Sequence, residues 1–253
     1  MVRCIVFAIF YSLFSLSVLG QSAADRSAEA APIDTDQYSL HTTGSQSPGT
    51  AGGGVSINRL RVPGKAWQLY EKALEAWNKQ KCADAQHEAE QALKIDPTFP
   101  DALTLYGFIQ ASSQHWDSAE ESLQAAVRSD PNYSAAYVIL AGVYNTEGRY
   151  DQAQEAIERA IAAGAHTWSV QYEIVRVLIG KGEYASALAI SDQALRSKHG
   201  KLLLMARAHA LLGLRRYSEA ATELRAYLRD DPTGEGSQNA RDLLQQLEPL
   251  VSR

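Results

Sequence analysis

Hydrophobic and polar positions follow a helical spacing twice within residues 134–163. The apolar side chains of the first stretch share one helix face: Tyr137, Leu140, Ala141 and Tyr144. Gly148 interrupts the pattern, and residues 150–163 then repeat the spacing with Ala153, Ile157, Ala160 and Ile161. Apolar residues three and four positions apart form one stripe of an α-helix. The pattern therefore predicts two antiparallel helices with a break at Gly148.

The same pattern returns along the chain at a regular period of thirty-four positions. One column of small residues contains Ala85, Ala119, Ala153, Ala187 and, one position short of the period, Ala220. A column of rings lies three positions before it and contains Trp116, Tyr150, Tyr184 and Tyr217, with Cys82 in the first place. Small side chains let two helices pack at the usual distance of about 8–10 Å, and a large neighbour fills the space beside them. The sequence therefore predicts stacked helical hairpins.

Breaks and a final amphipathic segment mark where these units end. Asp96-Pro97, Asp130-Pro131 and Asp231-Pro232 end the second helices, because proline disfavours helical backbone in the residue before it. Residues 237–248 carry one apolar stripe, and Ser237 is the predicted N-cap. Residues 234–253 are therefore predicted to form a capping helix and a tail, with Tyr227 packed beneath the helix.

The repeated helical units resemble the tetratricopeptide repeat family. The resemblance rests on the period, on Gly107 or Ala141 in the first helix, on Tyr150 and Ala153 opening the second helix, and on the closing Asp-Pro. It covers residues 64–233 as five repeats and implies an all-α fold, a right-handed α-solenoid with a C-terminal capping helix. The repeats depart from the family pattern at several places: Lys72, Ala165, His199, Arg207 and Tyr227.

The resemblance also implies that a peptide lies on the concave face formed by the first helices. Carried over position by position, the peptide-binding residues are Tyr70, Trp77, Asn78, Thr104, Phe108, Asn145, Tyr172, Arg176 and His209. One subfamily holds a terminal carboxylate with Lys and Asn, but those places contain Tyr70, Leu74, Val138 and Gly142. An apolar or amphipathic peptide therefore fits the face best. An alternative is that Trp67 and Trp77 are buried within the first repeat or against the preceding segment.

The first sixty residues have a different composition. In residues 1–20 the only charge is Arg3, and residues 4–19 form an apolar run, which is typical of a secretory signal peptide. The run is shorter than the roughly 20 residues of a membrane span, although an uncleaved anchor stays an alternative. Residues 21–63 are rich in Ser, Gly and Ala and predict a flexible tether. We expect an exported protein, periplasmic or secreted, with a membrane partner only if the leader is retained.

The net charge and the motif content argue against several classes of function. The formal net charge is -5, and no run of Lys or Arg occurs, which argues against nucleic acid as a partner. Phosphate loops, paired Cys motifs, His-Glu-x-x-His and nucleophile elbows are absent, so we expect no cofactor, no metal site and no catalysis. Cys82 and His87 could form half a metal site, but Cys82 occupies the ring column and is interpreted as a small apolar filler.

The sequence thus predicts a non-enzymatic binding scaffold or assembly adaptor with an unidentified protein or peptide partner. The alternatives are a self-associating structural protein and an enzyme built on a helical-repeat scaffold. Asn132-Tyr133-Ser134 is an acceptor sequon for N-glycosylation in a host with that machinery.

Overall fold

A computed structural model describes residues 61–194, 200–230, 232–233 and 236–251. The predicted leader and residues 21–60 of the predicted tether lie outside these ranges. All regular elements in the described ranges are α-helices, as predicted: α1 Gly64–Asn78, α2 Cys82–Ile95, α3 Pro100–Ser112, α4 Trp116–Ser129, α5 Ser134–Thr146, α6 Tyr150–Ala162, α7 Trp168–Gly180, α8 Tyr184–Ala194, α9 Gly200–Gly213, α10 Tyr217–Asp230 and α11 Gly236–Val251.

The helices form five hairpins that stack into two layers. Each odd-numbered helix from α1 to α9 contacts its hairpin partner, the preceding even-numbered helix where there is one, and the neighbouring odd-numbered helices. The odd-numbered helices lie closer to one another than the even-numbered helices do, so they occupy the concave side of the stack. We call α1, α3, α5, α7 and α9 the inner layer, and α2, α4, α6, α8 and α10 the outer layer. Helix α11 packs against α10 and caps the stack.

The alanine column lies at the contact between the two helices of each hairpin. All five alanines are fully buried, which confirms their predicted role as spacers: Ala85, Ala119, Ala153, Ala187 and Ala220. The two backbones approach closely between α3 and α4. A Cβ atom at Gly107 would lie 2.7 Å from Cγ of Leu123 and 3.2 Å from the backbone oxygen of Ala119. Gly107 therefore occupies this place in the inner layer because no larger side chain fits opposite Leu123.

The ring column fills space between successive hairpins. A Cβ atom at Gly180, at the end of α7, would lie 2.2 Å from the ring of Tyr150, and one at Gly213, at the end of α9, would lie 2.5 Å from the ring of Tyr184. Each ring therefore packs on the last turn of the inner helix in the next hairpin. Tyr150 and Tyr184 thus join neighbouring repeats, and a glycine in the next hairpin provides the space for each ring.

The hairpin turns repeat as regularly as the helices. One residue in each turn has a left-handed backbone, with φ between 57° and 79°: Gln80, Gln114, Gly148, Gly182 and Arg215. The next residue donates its N–H to a carbonyl five positions earlier, as from Arg149 to Tyr144 at 2.8 Å. This pattern is the Schellman motif, which satisfies carbonyl groups at a helix end. Three of the five turns place a non-glycine residue in this backbone conformation.

The predicted helix ends agree with the structure except at the start of the capping helix α11. Helices α2 and α4 end before Asp96 and Asp130, and Oδ1 of Asp96 accepts hydrogen bonds from the backbone N–H and the hydroxyl of Thr98. Tyr227 is buried in the same apolar cluster as the buried residues of α11, as predicted. Helix α11 begins at Gly236, so Ser237 lies in its first turn instead of serving as the N-cap.

Candidate functional site

The candidate site is the inner face, which we define as the side of the inner layer that points away from the outer layer. Seven of the nine predicted binding residues are buried there: Tyr70, Trp77, Thr104, Phe108, Asn145, Tyr172 and His209. Asn78 is exposed at the end of α1, and the side chain of Arg176 is 11% exposed. The inner layer brings these residues onto one surface, and their contact with a partner stays a prediction.

The first two repeats supply an aromatic region of the inner face. The rings of Trp77 and Phe108 pack edge to face with their centroids 5.1 Å apart, and the ring of Trp67 packs on Phe99 at 4.7 Å. Tyr70 contacts both Trp67 and Phe99, and burial raises the pKa of its hydroxyl above the ordinary value. The two tryptophans are therefore held by rings of the first and second repeats.

A buried polar cluster lies near the middle of the inner face. Glu173 in α7 is fully buried, and its Oε2 accepts hydrogen bonds from Nδ2 of Asn145 at 2.8 Å and from Nη1 of Arg176 at 2.6 Å. The guanidinium of Arg176 lies 5.8 Å from the centre of the Tyr172 ring, within cation–π distance. Asn145 belongs to α5, so the cluster connects the third and fourth repeats. The carboxylate and the guanidinium neutralise each other.

Buried oxygens on two inner helices have no hydrogen-bond partner within the described ranges. They are Oγ1 of Thr104 in α3 and Oδ1 of Asn145 in α5. A buried acceptor without a partner costs about 1–3 kcal/mol, so such groups are rare in folded proteins. Both oxygens are suited to accept a hydrogen bond from a peptide N–H or a hydroxyl group.

His209 adds a neutral ring at the last repeat. It is 7% exposed, and its Nδ1 lies 2.8 Å from the carbonyl oxygen of Met205, so Nδ1 carries the proton and donates. Burial lowers the pKa of the imidazole to about 4. The ring is therefore uncharged near neutral pH.

A second ion pair lies between two hairpins, away from the inner face. Arg149 donates two hydrogen bonds to the carboxylate of Glu120, at 2.6 Å and 3.1 Å, and a third to Glu147 at 2.9 Å. Tyr144 donates its hydroxyl to Glu120 at 2.9 Å. The hydrogen bonds from Arg149 hold the pKa of the Glu120 carboxyl below its ordinary value. This network fixes the third hairpin on the second one.

Glu173, the central group of the polar cluster, was not among the residues predicted from the sequence. Asn145 and Arg176 were both predicted, but Glu173 lies beside the groove position of Tyr172 and not at one. The available signal was an acid three residues before Arg176 in a helix whose other residues are mostly apolar. An isolated acid and base at this spacing lie on the same helix face and can pair.

Within the described residues, no group of three or more His, Cys, Asp and Glu side chains is arranged to hold a metal ion. None of the described helices combines the length and the apolar composition that a membrane span requires.

Stacked helical hairpins with a buried apolar inner face define a helical-repeat scaffold, a class of fold that serves protein interaction more often than catalysis. Family models described as tetratricopeptide repeat match residues 76–142 and 112–173, and also residues 146–201 and 172–235. These matches together cover more than half of the chain. The chain belongs to the tetratricopeptide repeat family.

Solved structures support the same fold. The thermophilic tetratricopeptide repeat protein TTC0263 of Thermus thermophilus superposes with a TM-score of 0.61 at 20% identity, over 72% of this chain and 98% of that one. PilF of Pseudomonas aeruginosa gives 0.58 at 16% identity, over 75% and 91%. YrrB, described as having an unusual peptide-binding site, gives 0.50 at 14% identity, over 70% and 92%. No protein of curated function matches the sequence.

Proposed function

We propose that the chain is an exported, non-enzymatic scaffold or assembly adaptor that binds a protein or peptide partner on its inner face. The observation that carries the proposal is the composition of that face. Aromatic and aliphatic side chains alternate there with amide and hydroxyl groups, and the Glu173–Arg176 pair adds no net charge. Such a surface suits an apolar or amphipathic segment of a protein.

The residue types on the inner face support this assignment energetically. Tyr, Trp and Phe offer large contact areas with few rotatable bonds, so binding costs little side-chain entropy. Acceptors such as Oδ1 of Asn145 can orient a partner by hydrogen bonds. The description of YrrB as having a peptide-binding site adds support from a similar fold.

The proposed export rests on the sequence of residues 1–20. If the leader is removed, the purified protein has a new N-terminus after Gly20 or after Ala24, where small residues precede the predicted cleavage sites. Intact-mass measurement of the protein from the periplasm or the culture medium would reveal this shift. A full-length mass in a cytosolic fraction alone would contradict the proposed localisation.

A large charged side chain placed on the inner face tests the proposed binding. Thr104 is fully buried on the inner face, whereas Gln154 is exposed on the outer helix α6. We expect Thr104→Arg to reduce partner recovery at least about tenfold, the effect of losing about 1.4 kcal/mol of binding free energy. Gln154→Arg should leave recovery unchanged.

The measurement is quantitative crosslinking in the native cells followed by mass spectrometry of the captured proteins. Helical circular dichroism and the melting temperature must show that both variants are folded. Equal capture by wild type and a folded Thr104→Arg variant would exclude the inner face as the binding surface.

A further inference from the structure

The buried apolar side chains of the described residues form two clusters instead of one. The first apolar cluster contains the buried apolar residues of α1 to α6 and extends onto α7 through Val170 and Val177. The second apolar cluster contains Tyr172, Val175 and Ile179 of α7 and the buried apolar residues of α8 to α11. The boundary between the two clusters therefore runs along α7, the inner helix of the fourth hairpin.

Helix α7 carries two apolar stripes, each with residues three and four positions apart: Val170, Ile174 and Val177, and Tyr172, Val175 and Ile179. Successive residues of an α-helix turn by about 100°, so the two stripes lie on nearly opposite sides of the helix. Each of the other inner helices places its buried apolar residues in a single cluster. The backbone of α7 thus separates two apolar cores.

A polar contact connects α5 of the first core with α7. Nδ2 of Asn145 donates to Oε2 of Glu173 at 2.8 Å and to the backbone oxygen of the same residue at 3.2 Å. A hydrogen bond weakens steeply when its geometry is disturbed, and a buried ion pair such as Glu173–Arg176 adds less stability than apolar packing of the same volume. The contact therefore fixes the position of α7 on α5 without a large gain in stability.

Polar contacts also connect the third and fourth hairpins on the outer side. Nζ of Lys181, in the turn after α7, lies 2.8 Å from Oε1 of Gln154 and 2.9 Å from Oδ1 of Asp151, both in α6. The side chain of Asp151 is 96% exposed, so this ion pair contributes little to stability. Between the second and third hairpins, Glu120 is 19% exposed and accepts two hydrogen bonds from Arg149. The junction at α7 is therefore held more weakly on its outer side than the preceding junction.

We propose that the described helices form two cooperative units, α1 to α6 and α7 to α11, that the second unit opens while the first stays folded, and that Asn145 and Glu173 couple them. Each hairpin of a repeat stack contacts only its neighbours, so the stack divides at its weakest junction. Each unit has about 80–100 residues, a size at which single domains fold on their own. The second unit is the smaller one and opens first. Each unit has large side chains that are fully buried: Leu105 and Leu123 in the first, and Leu203 and Leu224 in the second.

The boundary between the units lies within the predicted binding surface. Asn145 belongs to the first unit, whereas Tyr172 and Arg176 belong to the second. A partner that contacts both units binds only when both are folded, so its binding would suppress the opening of the second unit. This regulatory step rests on the proposed function, whereas the two units do not depend on it.

Hydrogen exchange tests the two units without any partner. Exchange of the full chain is measured by mass spectrometry of peptic peptides at increasing urea concentrations below the unfolding transition. We expect peptides from α9, α10 and α11 to share one opening equilibrium, at least about tenfold more favourable than the one shared by peptides from α3 to α6. The proposal would be overturned by one opening equilibrium for all helices, by a boundary at a helix other than α7, or by a first unit that opens before the second.

Two substitutions in the first unit test the coupling. Asn145→Ala removes the side-chain contact with Glu173 and should raise the opening equilibrium of α9 to α11 about tenfold, the effect of losing a hydrogen bond to a charged group. Gly107→Ala crowds Leu123 inside the first unit, so it should raise the exchange of α3 to α6 and leave that of α9 to α11 unchanged.

The same rise in α9 to α11 for both variants, or no rise for Asn145→Ala, would reject the coupling. Neither measurement includes a partner, so this proposal and the proposed binding can fail independently.

Discussion

Two ion pairs of the same chemistry lie in the two layers of the molecule. Glu173 and Arg176 of the inner layer have side chains that are 0% and 11% exposed, and Glu120 and Arg149 at the outer layer have side chains that are 19% and 32% exposed. The inner pair gains one amide hydrogen bond, from Asn145, whereas the outer pair also contacts Tyr144 and Glu147. The outer pair keeps part of its hydration, and the inner pair has lost most of it.

The difference suggests separate roles for the two pairs. Desolvation offsets most of the attraction in a buried ion pair, so apolar residues of similar shape often stabilise a fold as well or better. The inner pair is therefore poorly explained by stability alone, and its position on the inner face agrees with the proposed binding role. The outer pair connects two hairpins and has a structural role.

The largest effect is expected when the inner pair is broken. Glu173→Ala leaves Arg176 buried without its carboxylate and should lower the free energy of unfolding by about 4 kcal/mol, since breaking buried pairs typically costs about 3–5 kcal/mol. Chemical denaturation measures the change. Glu155→Ala in α6, an exposed acid one hairpin away, is the matched control and should change the stability by less than about 0.5 kcal/mol. Similar losses of stability in both variants would show that the buried acid of the inner layer contributes no more than an exposed acid of the outer layer.

The next effect depends on pH and concerns the neutral ring of the inner face. The folded protein holds the pKa of His209 at about 4, below the ordinary value of 6.5. The unfolded chain takes up the proton first as the pH falls, so this contribution to stability is present above pH 6.5 and is lost between pH 6.5 and 4. The shift corresponds to at most about 3 kcal/mol.

His209→Gln removes the titrating group and keeps a side-chain donor for the carbonyl of Met205. Denaturation curves at pH 7 and pH 4.5 should show a smaller loss of stability in the variant than in the wild type. Parallel losses in the two proteins would mean that His209 is accessible to protons in the folded state.

The sequence predicted the hairpins and their two layers better than the contacts and the burial of individual residues. The regular period and the alanine column were sufficient for the hairpins, because a spacer such as Ala153 must recur wherever two helices cross. The pairing of Tyr150 with Gly180 was not predicted, because it joins residues of different repeats. The burial of Thr104 and Phe108 was not predicted either. A residue pattern identifies the face of a helix but not how deeply each residue of that face is buried.

A smaller effect is expected where the two layers meet. Gly107→Ala places a Cβ atom 2.7 Å from Cγ of Leu123, and overpacking of this kind costs about 1–3 kcal/mol. We therefore expect a loss of about 2 kcal/mol by thermal or chemical denaturation. Gly64→Ala at the exposed start of α1 has no atom within 4 Å and should be neutral or slightly stabilising. A neutral Gly107→Ala variant would show that α3 and α4 can separate freely.

The smallest effect is expected at the outer pair. Glu120→Gln keeps the size of the side chain and the acceptor for Tyr144 but removes the charge that Arg149 binds, so we expect a loss of about 1 kcal/mol at neutral pH. Because the pKa of Glu120 is lowered in the folded protein, its contribution is present above the ordinary carboxyl pKa and disappears as the pH falls through the folded value. The difference between wild type and variant should therefore shrink in acid and in high salt, as measured by urea denaturation. Exposed Glu121→Gln is the control. A loss at Glu120 as large as that at Glu173 would show that the two layers desolvate their charges to the same extent.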